Sequence, residues 1–373
     1  MTGLYLHIPF CIKKCHYCNF VITNSGSQDK KTEFLSSLEK ELDHYHDRFR
    51  NVFFETLYLG GGTPSSLSEE ALKELLSLIG SHFKFKKDAE RTCEVNPGDL
   101  DENKIRVLKE FGVRRISLGA QTFNEGTLKR LNRAHDVEDT LRSYDLLRQS
   151  GFQNINMDFI LSLPGETLED VKHSLGKAVK LGVEHVSLYE LTIEEHTVFG
   201  DQHRKGKLGL PDEDTQMKLL SFARDFLKQN NFEHYELLNY AKPGFRSRHN
   251  LLYWANEDYL GLGPGAFSYF DGRRFRSSAG VDEYLEKMRH GDWTPHEEEV
   301  LTPEKKEIES LLLALRLSEG AAIKKFQPVL QKLKGSVNKL ERQGLLVQDP
   351  QSLRLSPRGQ FLAETVFSEL SSV

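Results

Sequence analysis

The stretch Glu55-Thr56-Leu57-Tyr58-Leu59-Gly60-Gly61-Gly62-Thr63-Pro64 decides the fold. Residues 55–59 read as a strand and the glycines as the turn that ends it. A helix is expected next. Ser66 and Glu69 suit a capping box, and Leu72, Leu75, Leu76 and Ile79 form an apolar stripe at helical spacing. The same unit repeats on both sides. Upstream, Leu4 to Ile8 reads as a strand and 29–49 as a helix, with Phe34, Leu35, Leu38 and Leu42 on one face. Downstream, strands are expected at Arg91 to Val95, Arg115 to Leu118, Ile155 to Leu161 and His185 to Leu191. Helical patterns lie between them at 102–111, 137–150 and 167–181. Strand and helix in alternation predict a parallel sheet of buried strands. Six such units are too few for a closed eight-stranded barrel. The expected fold class is therefore α/β, a partial (β/α)6 barrel.

The rhythm changes near residue 200. Residues 213–230 read as a helix, His234 to Tyr240 as extended, and Gly261 to Ala266 as a loop. Ser268 to Arg276 reads as a hairpin turning at Asp271-Gly272. A helix over 303–317 opens a last segment. Its end, with Leu340 to Leu346, Leu353 to Leu355 and Ser356-Pro-Arg-Gly359, has the pattern of a winged helix. Residues 321–361 hold eight Lys/Arg and two Asp/Glu, a local +6 in a chain of net charge −5, so the remainder stands at −11. Two domains follow: the barrel with its extension over 1–299, and a mostly helical, winged-helix-like module over 300–373.

Composition excludes other classes. A chain of 373 residues, 38% hydrophobic and 28% charged, is a folded one. The longest apolar run, Leu311 to Leu315, is far short of the roughly 20 residues that span a bilayer. No basic region precedes the first apolar residues, and Pro9, Cys11, Lys13 and Lys14 interrupt any hydrophobic core of a signal peptide. A reducing, cytoplasmic setting is expected. Four cysteines exclude a disulfide scaffold at this length. Three of them, in Cys11-Ile-Lys-Lys-Cys15-His-Tyr-Cys18, lie on one loop at the end of the first strand. Three thiolates at this spacing suit three irons of a cubane, with the fourth iron open to a chelating ligand. Zinc with His16 or His7 as the fourth ligand is the alternative, although no second zinc knuckle is present. Cys93 reads as a small apolar residue of a buried strand.

The C-x3-C-x2-C motif after one strand and Gly60-Gly-Gly-Thr-Pro64 after the next resemble the radical S-adenosylmethionine (SAM) family. Tyr5-Leu-His-Ile-Pro-Phe-Cys11, Glu94-Val-Asn-Pro97, Gln121-Thr-Phe, Asn132-Arg133-Ala-His135, Asp158, Leu163-Pro-Gly-Glu166 and Tyr189 extend the likeness over about residues 3–280. They resemble the oxygen-independent coproporphyrinogen oxidase group. The resemblance implies a [4Fe-4S] cluster on Cys11, Cys15 and Cys18, with SAM chelating the open iron. It implies SAM contacts from Gly61, Gly62, Thr63, Glu94, Gln121, Arg133 and Asp158, and a pocket lined by Tyr5 and Tyr17. A lone glycine would fit an ordinary βα turn; three with Thr-Pro favour a ligand site.

Two branches of that group differ here. The oxidases carry a further Cys where this chain has Phe20, and a longer arm before the cluster. The HemW-type heme-chaperone branch carries H-N-x-x-Y-W, which stands here as His249-Asn250-Leu-Leu-Tyr253-Trp254. That resemblance implies heme bound by His249, Tyr253 and Trp254, with Arg246 or Arg248 on its propionates. By themselves, a hydrogen-bonded structural histidine and a core tryptophan would be the ordinary reading. The function expected is a chaperone that binds heme, a [4Fe-4S] cluster and SAM, and passes heme to apo-hemoproteins such as respiratory heme proteins. A coproporphyrinogen III oxidase-like radical SAM enzyme is the alternative. The basic module reads as a solvated face, so no nucleic acid is expected. A homodimer and a peripheral membrane contact are compatible with this reading.

Overall fold

Six strands cross the sheet in the order of the chain. The computed structural model describes residues 2–24 and 28–372. The strands are β1 (Thr2–Ile8), β2 (Phe53–Gly61), β3 (Lys84–Val95), β4 (Arg115–Gln121), β5 (Asn154–Leu161) and β6 (His185–Glu190). Each pairs in parallel with the next. Helices α1 (Gln28–Phe49), α2 (Glu69–His82), α3 (Glu102–Glu110), α4 (Val137–Gln149) and α5 (Leu168–Leu181) connect them. A strand order that never reverses, with crossovers of the usual right-handed sense expected between parallel strands, keeps the helices on one face and curls the sheet. All six C-terminal strand ends therefore share one rim. This is the partial barrel that the strand–helix rhythm predicts.

Two local details differ from expectation. α2 is capped by Ser68, whose side chain accepts from the Ala71 amide. Ser66 lies instead in a short turn, Pro64–Ser66, and its hydroxyl donates to the Thr63 and Phe10 carbonyls. Pro64 starts that turn, which postpones the helix by one more turn of chain. β3 begins at Lys84, seven residues before the expected Arg91. Its first half is charged and exposed, so no buried run marks it.

The segment after 200 extends the sheet at both edges. α6 (Glu213–Gln229) leads to β7 (Glu233–Glu236) and β8 (Asn239–Ala241), and β8 lies antiparallel to β6. α7 (Arg248–Trp254) then leads to β9 (Asp258–Leu262), a seventh parallel strand on the free edge of β1. Gly261 and Leu262 were expected in a loop and belong to this strand. A Cβ on Gly261 would lie 1.9 Å from the Phe267 carbonyl oxygen, so glycine there marks a close backbone approach. β10 (Phe267–Phe270) and β11 (Arg273–Arg276) form the expected hairpin; Asp271 and Gly272 have φ of 54° and 72°. α8 (Val281–His290) packs on α1, and β12 (Glu297–Val300) closes the edge. The 12-stranded order is β12-β11-β10-β9-β1-β2-β3-β4-β5-β6-β8-β7.

Among the described residues there are two large apolar cores and a small third cluster of Leu131, Ile160, Leu163 and Phe199. The larger takes Leu4, Leu6 and Ile8 from β1, Leu57 and Leu59 from β2, and the inner stripes of α1 and α2, all shielded from solvent. Each such buried side chain contributes roughly 1.5–3 kcal/mol. The smaller is built from residues between Leu311 and Leu370. It joins α9 (Pro303–Leu315), α10 (Ile323–Lys332) and α11 (Lys334–Arg342) to a three-stranded sheet of β13 (Ala321–Ala322), β14 (Leu346–Gln348) and β15 (Ser352–Leu355). The helices Pro357–Phe361 and Ala363–Ser371 complete it, the wing-and-helix pattern expected from sequence. Among the described residues, no helix is long and apolar enough to cross a membrane.

Candidate functional site

The loop after β1 carries the three cysteines to the barrel rim. It is tied down from afar. The His16 amide donates to the Leu131 carbonyl (3.1 Å), Asn132 Nδ2 to the Lys14 carbonyl (2.9 Å), and the Phe199 amide to the His16 carbonyl (2.9 Å). Cys11 is buried and Cys15 and Cys18 half-buried, while Lys13 and Lys14 are exposed. All three thiols face one cavity of about 480 Å³. Burial pushes the Cys11 thiol up to about 11, against a contact with Thr63 Oγ1 at 3.5 Å, and burial raises Cys18 as well. A bound cation would compensate the thiolate charge that burial disfavours at Cys11 and Cys18. Of the two candidate zinc histidines, His7 uses both ring nitrogens, on Tyr5 (3.0 Å) and the Val21 carbonyl (2.7 Å), and His16, whose Nδ1 donates to the Arg130 carbonyl (3.0 Å), does not line the thiol cavity.

Strand ends supply the rest of this cavity. Gly61, Gly62, Thr63, Glu94, Gln121, Arg133, Asp158 and Tyr17 all line it. The glycines are also required by the protein's own packing. Gly61 has φ of 103°, and a Cβ there would lie 2.6 Å from the His7 ring; at Gly62 it would lie 2.7 Å from the Phe10 carbonyl oxygen. Glu94 accepts from the Tyr58 hydroxyl (2.9 Å) and the Gly61 amide (3.1 Å). Burial, aided by the nearby Asp158 carboxylate, pushes Glu94 up to about 7. Asp158 is raised by burial too, and accepts from Ser117 Oγ (3.0 Å) and Asn156 Nδ2 (2.7 Å). Gln121 sits at the end of β4 in the left-handed region, φ 65°, a strained backbone of the kind that collects at sites.

Arg133 crosses beneath the cysteine loop. Its guanidinium donates to Asn96 Oδ1 (2.6 Å), the Gly119 carbonyl (3.0 Å), Cys15 Sγ (3.3 Å) and Tyr17 Oη (3.5 Å). Its Nε is buried without a hydrogen-bond partner. Burial works against its charge, yet Tyr17 and the Cys15 sulfur outweigh that and hold its pKa above the ordinary value. A buried cation with a free donor calls for an anion in the cavity. The donor set thus fits a thiolate-held cluster beside a small ligand that bears a carboxylate.

A second cavity, of about 660 Å³, adjoins the first. Asn19, Phe20, Gly61 and Glu94 line both. Its walls are aromatic: Tyr5, Tyr253, Trp254, Tyr259 and Phe267, with Phe20 two-thirds exposed between the two cavities. Tyr5 was expected in the thiol cavity and lines this one instead, because its hydroxyl turns to His7 Nδ1. His249 reaches neither cavity. It is 1% exposed, with Nδ1 2.7 Å from Thr56 Oγ1 and Nε2 2.8 Å from the Tyr253 hydroxyl. Arg246 and Arg248 also lie elsewhere, paired with Glu233 and Glu319 and with Asp88. The cations on this wall are Arg274 and Arg276.

Sequence reasoning passed over several groups. Asn96, Ser117 and Asn156 orient the charged residues, and Arg274, Arg276, Glu309 and Leu313 wall the second cavity. Asn96 stood inside a recognised motif; the others carry no local signal.

Residues 5–178 match the radical SAM superfamily and residues 301–362 the HemN C-terminal domain. A protein named heme chaperone HemW from Lactococcus lactis is 38% identical over 99% of this chain and 97% of its own length. One of the same name from Bacillus subtilis is 36% identical over 98% of each. Among solved structures, coproporphyrinogen III oxidase (HemN) from Escherichia coli superposes with a TM-score of 0.88 at 22% identity, covering 100% of this chain and 90% of the other. That likeness is one of fold.

Proposed function

Since the chain belongs to the HemW heme chaperone family of the radical SAM superfamily, we propose that it carries heme in the aromatic cavity beside a [4Fe-4S] cluster and SAM, and delivers it to apo-hemoproteins. The observation that carries this reading is the shared wall: a thiol-lined cavity meets an aromatic one across Phe20, Gly61 and Glu94. Cys11, Cys15 and Cys18 hold the cluster. When bound, the cluster with SAM supplies a one-electron reducing centre. Arg133, on the wall of the thiol cavity, supplies the positive charge that faces the SAM carboxylate. Glu94 and Asp158 accept from ribose hydroxyls, and Gln121 turns its amide toward the same ligand. Thr63 is held by Asn96 Nδ2 (2.8 Å) against Cys11 and keeps the loop close to β2.

Phe20 stands where an oxidase would carry another cysteine, and puts an apolar face between cluster and cargo. Residues 300–373 act in this reading as a separate module that walls the heme cavity through Glu309 and Leu313. Its lysines are partly engaged at home: Lys332 with Glu304 (2.7 Å) and Lys339 with Glu369 (2.7 Å). The test is anaerobic reconstitution followed by parallel incubation with ferric heme and with coproporphyrinogen III. Stoichiometric heme uptake, and its transfer to an added apo-hemoprotein, is the expected result. Conversion of coproporphyrinogen to protoporphyrinogen would overturn the chaperone reading.

A further inference from the structure

Resting on the aromatic cavity as the heme site, we propose that the iron ligand is the phenolic oxygen of Tyr253, and that His249 is a positioning residue behind it. Two observations converge. His249 is sealed: its ring stacks on Tyr58 with centroids 5.2 Å apart, a Cβ on Gly3 would lie 3.3 Å from its Cε1, and both nitrogens are hydrogen-bonded. Its backbone amide is also held, by Glu90 (3.0 Å). To reach the cavity, the imidazole would have to break both bonds and leave its slot. Tyr253 is already there. It lies one helical turn along α7 on the same face, it lines the cavity, and its oxygen is 2.8 Å from His249 Nε2.

The chemistry suits a ferric cargo. Tyrosinate is a recognised heme-iron ligand. As the oxygen–iron bond forms, the phenolic O–H bond breaks and its proton leaves to solvent; His249, which burial pushes down to about 3, stays neutral, with Nε2–H donating to the phenolate and Nδ1 accepting from Thr56 Oγ1. The iron stays ferric and no electron moves. The phenolate adds a negative charge on a wall that also carries Arg276, whose guanidinium lies 3.6 Å from Glu297 and donates to the Ala279 carbonyl (3.3 Å); a propionate would compete with that long ion pair.

The full-length protein titrated with ferric heme is the test, read by visible absorption and electron paramagnetic resonance with iron–sulfur content as the folding control. The wild type should show a high-spin ferric spectrum with a phenolate-to-iron charge-transfer band. Tyr253→Phe should lose that band and bind at least tenfold more weakly. Tyr253→His should replace it with an imidazole-type spectrum, and His249→Gln should keep the band with several-fold weaker binding. A wild-type spectrum retained in Tyr253→Phe overturns the proposal, as does an imidazole-type wild-type spectrum that His249→Gln removes. Absence of any heme binding in the wild type fails the chaperone reading itself, and the ligand assignment with it.

Discussion

The thiol-lined cavity takes its polar groups from the strand ends of one parallel sheet and the loop after β1. The aromatic cavity takes its walls from β1, α7, β9, the β10–β11 hairpin and α9. Both linings are mostly apolar by area, and the first adds buried charges such as Arg133 and Glu94, each held by neighbouring polar groups. The second has its cations at one side. Barrel topology alone gathers the first set, because parallel strands deliver their C-terminal ends to one rim. The second exists only once an edge strand, a hairpin and the C-terminal module have docked. A site of the first kind should respond to single residues sharply; one of the second should lose affinity in fractions.

Removing a cluster ligand tests the independence of the two cavities most severely. Cys15→Ala should abolish iron and sulfide incorporation on anaerobic reconstitution while heme affinity stays within a few-fold. Equal loss of both would mean that the two cavities form one site. The next effect is on the shared wall. Gly61→Ala adds a side chain at φ 103°, 2.6 Å from the His7 ring. Left-handed strain and overpacking together should lower the unfolding free energy by about 4 kcal/mol in urea titrations. A change under about 1 kcal/mol would show that the wall can yield.

Behind the aromatic cavity, Glu41 of α1 accepts from the Gly263 amide (2.8 Å) and the Tyr284 hydroxyl (2.8 Å), bracing the turn after β9. Burial pushes its carboxyl up to about 7. A carboxyl raised in the folded state binds its proton more tightly there than when unfolded. Stability is therefore full below the unfolded pKa and falls as pH rises through about 7. Relative to Glu41→Gln, the wild type should lose about 3 kcal/mol between pH 4 and pH 8, read by urea unfolding at each pH. Parallel curves for the two proteins would place the carboxyl's proton affinity elsewhere. The smallest effect is expected at the cavity's edge. Arg276→Ala should weaken heme binding about tenfold, about 1.4 kcal/mol, and leave the iron content unchanged. A fall in iron content alongside would again merge the cavities.

That Cys11, Cys15 and Cys18 share one cavity was legible because they lie within one loop, and Glu94 and Arg133, which line it too, were singled out by short motifs; Asp158 was singled out by its place in the order alone. Tyr5 was legible as a site residue but not as to which cavity it serves; its hydroxyl direction depends on His7. His249 was expected as a heme contact, and the structure places it outside the aromatic cavity, behind Tyr253. No local pattern records that Thr56, Tyr58 and Gly3, from two strands far upstream, enclose its ring. Arg276 looked like one more charge of a hairpin, and Arg246 and Arg248 looked closer to the motif than they are to the cavity.

From sequence alone come the parallel barrel, the winged end and the cysteine triad. Helix and strand periodicity, turn residues and ligand spacing are all properties of neighbours in the chain. Only the tertiary structure decided that β9 joins β1 as a seventh parallel strand, and that α9 reaches back to wall a cavity some 300 residues from Tyr5. It also decided that Tyr253 lines the cavity while His249 is buried behind it. These depend on which distant surfaces bury one another, and that selection is made by packing of the whole chain.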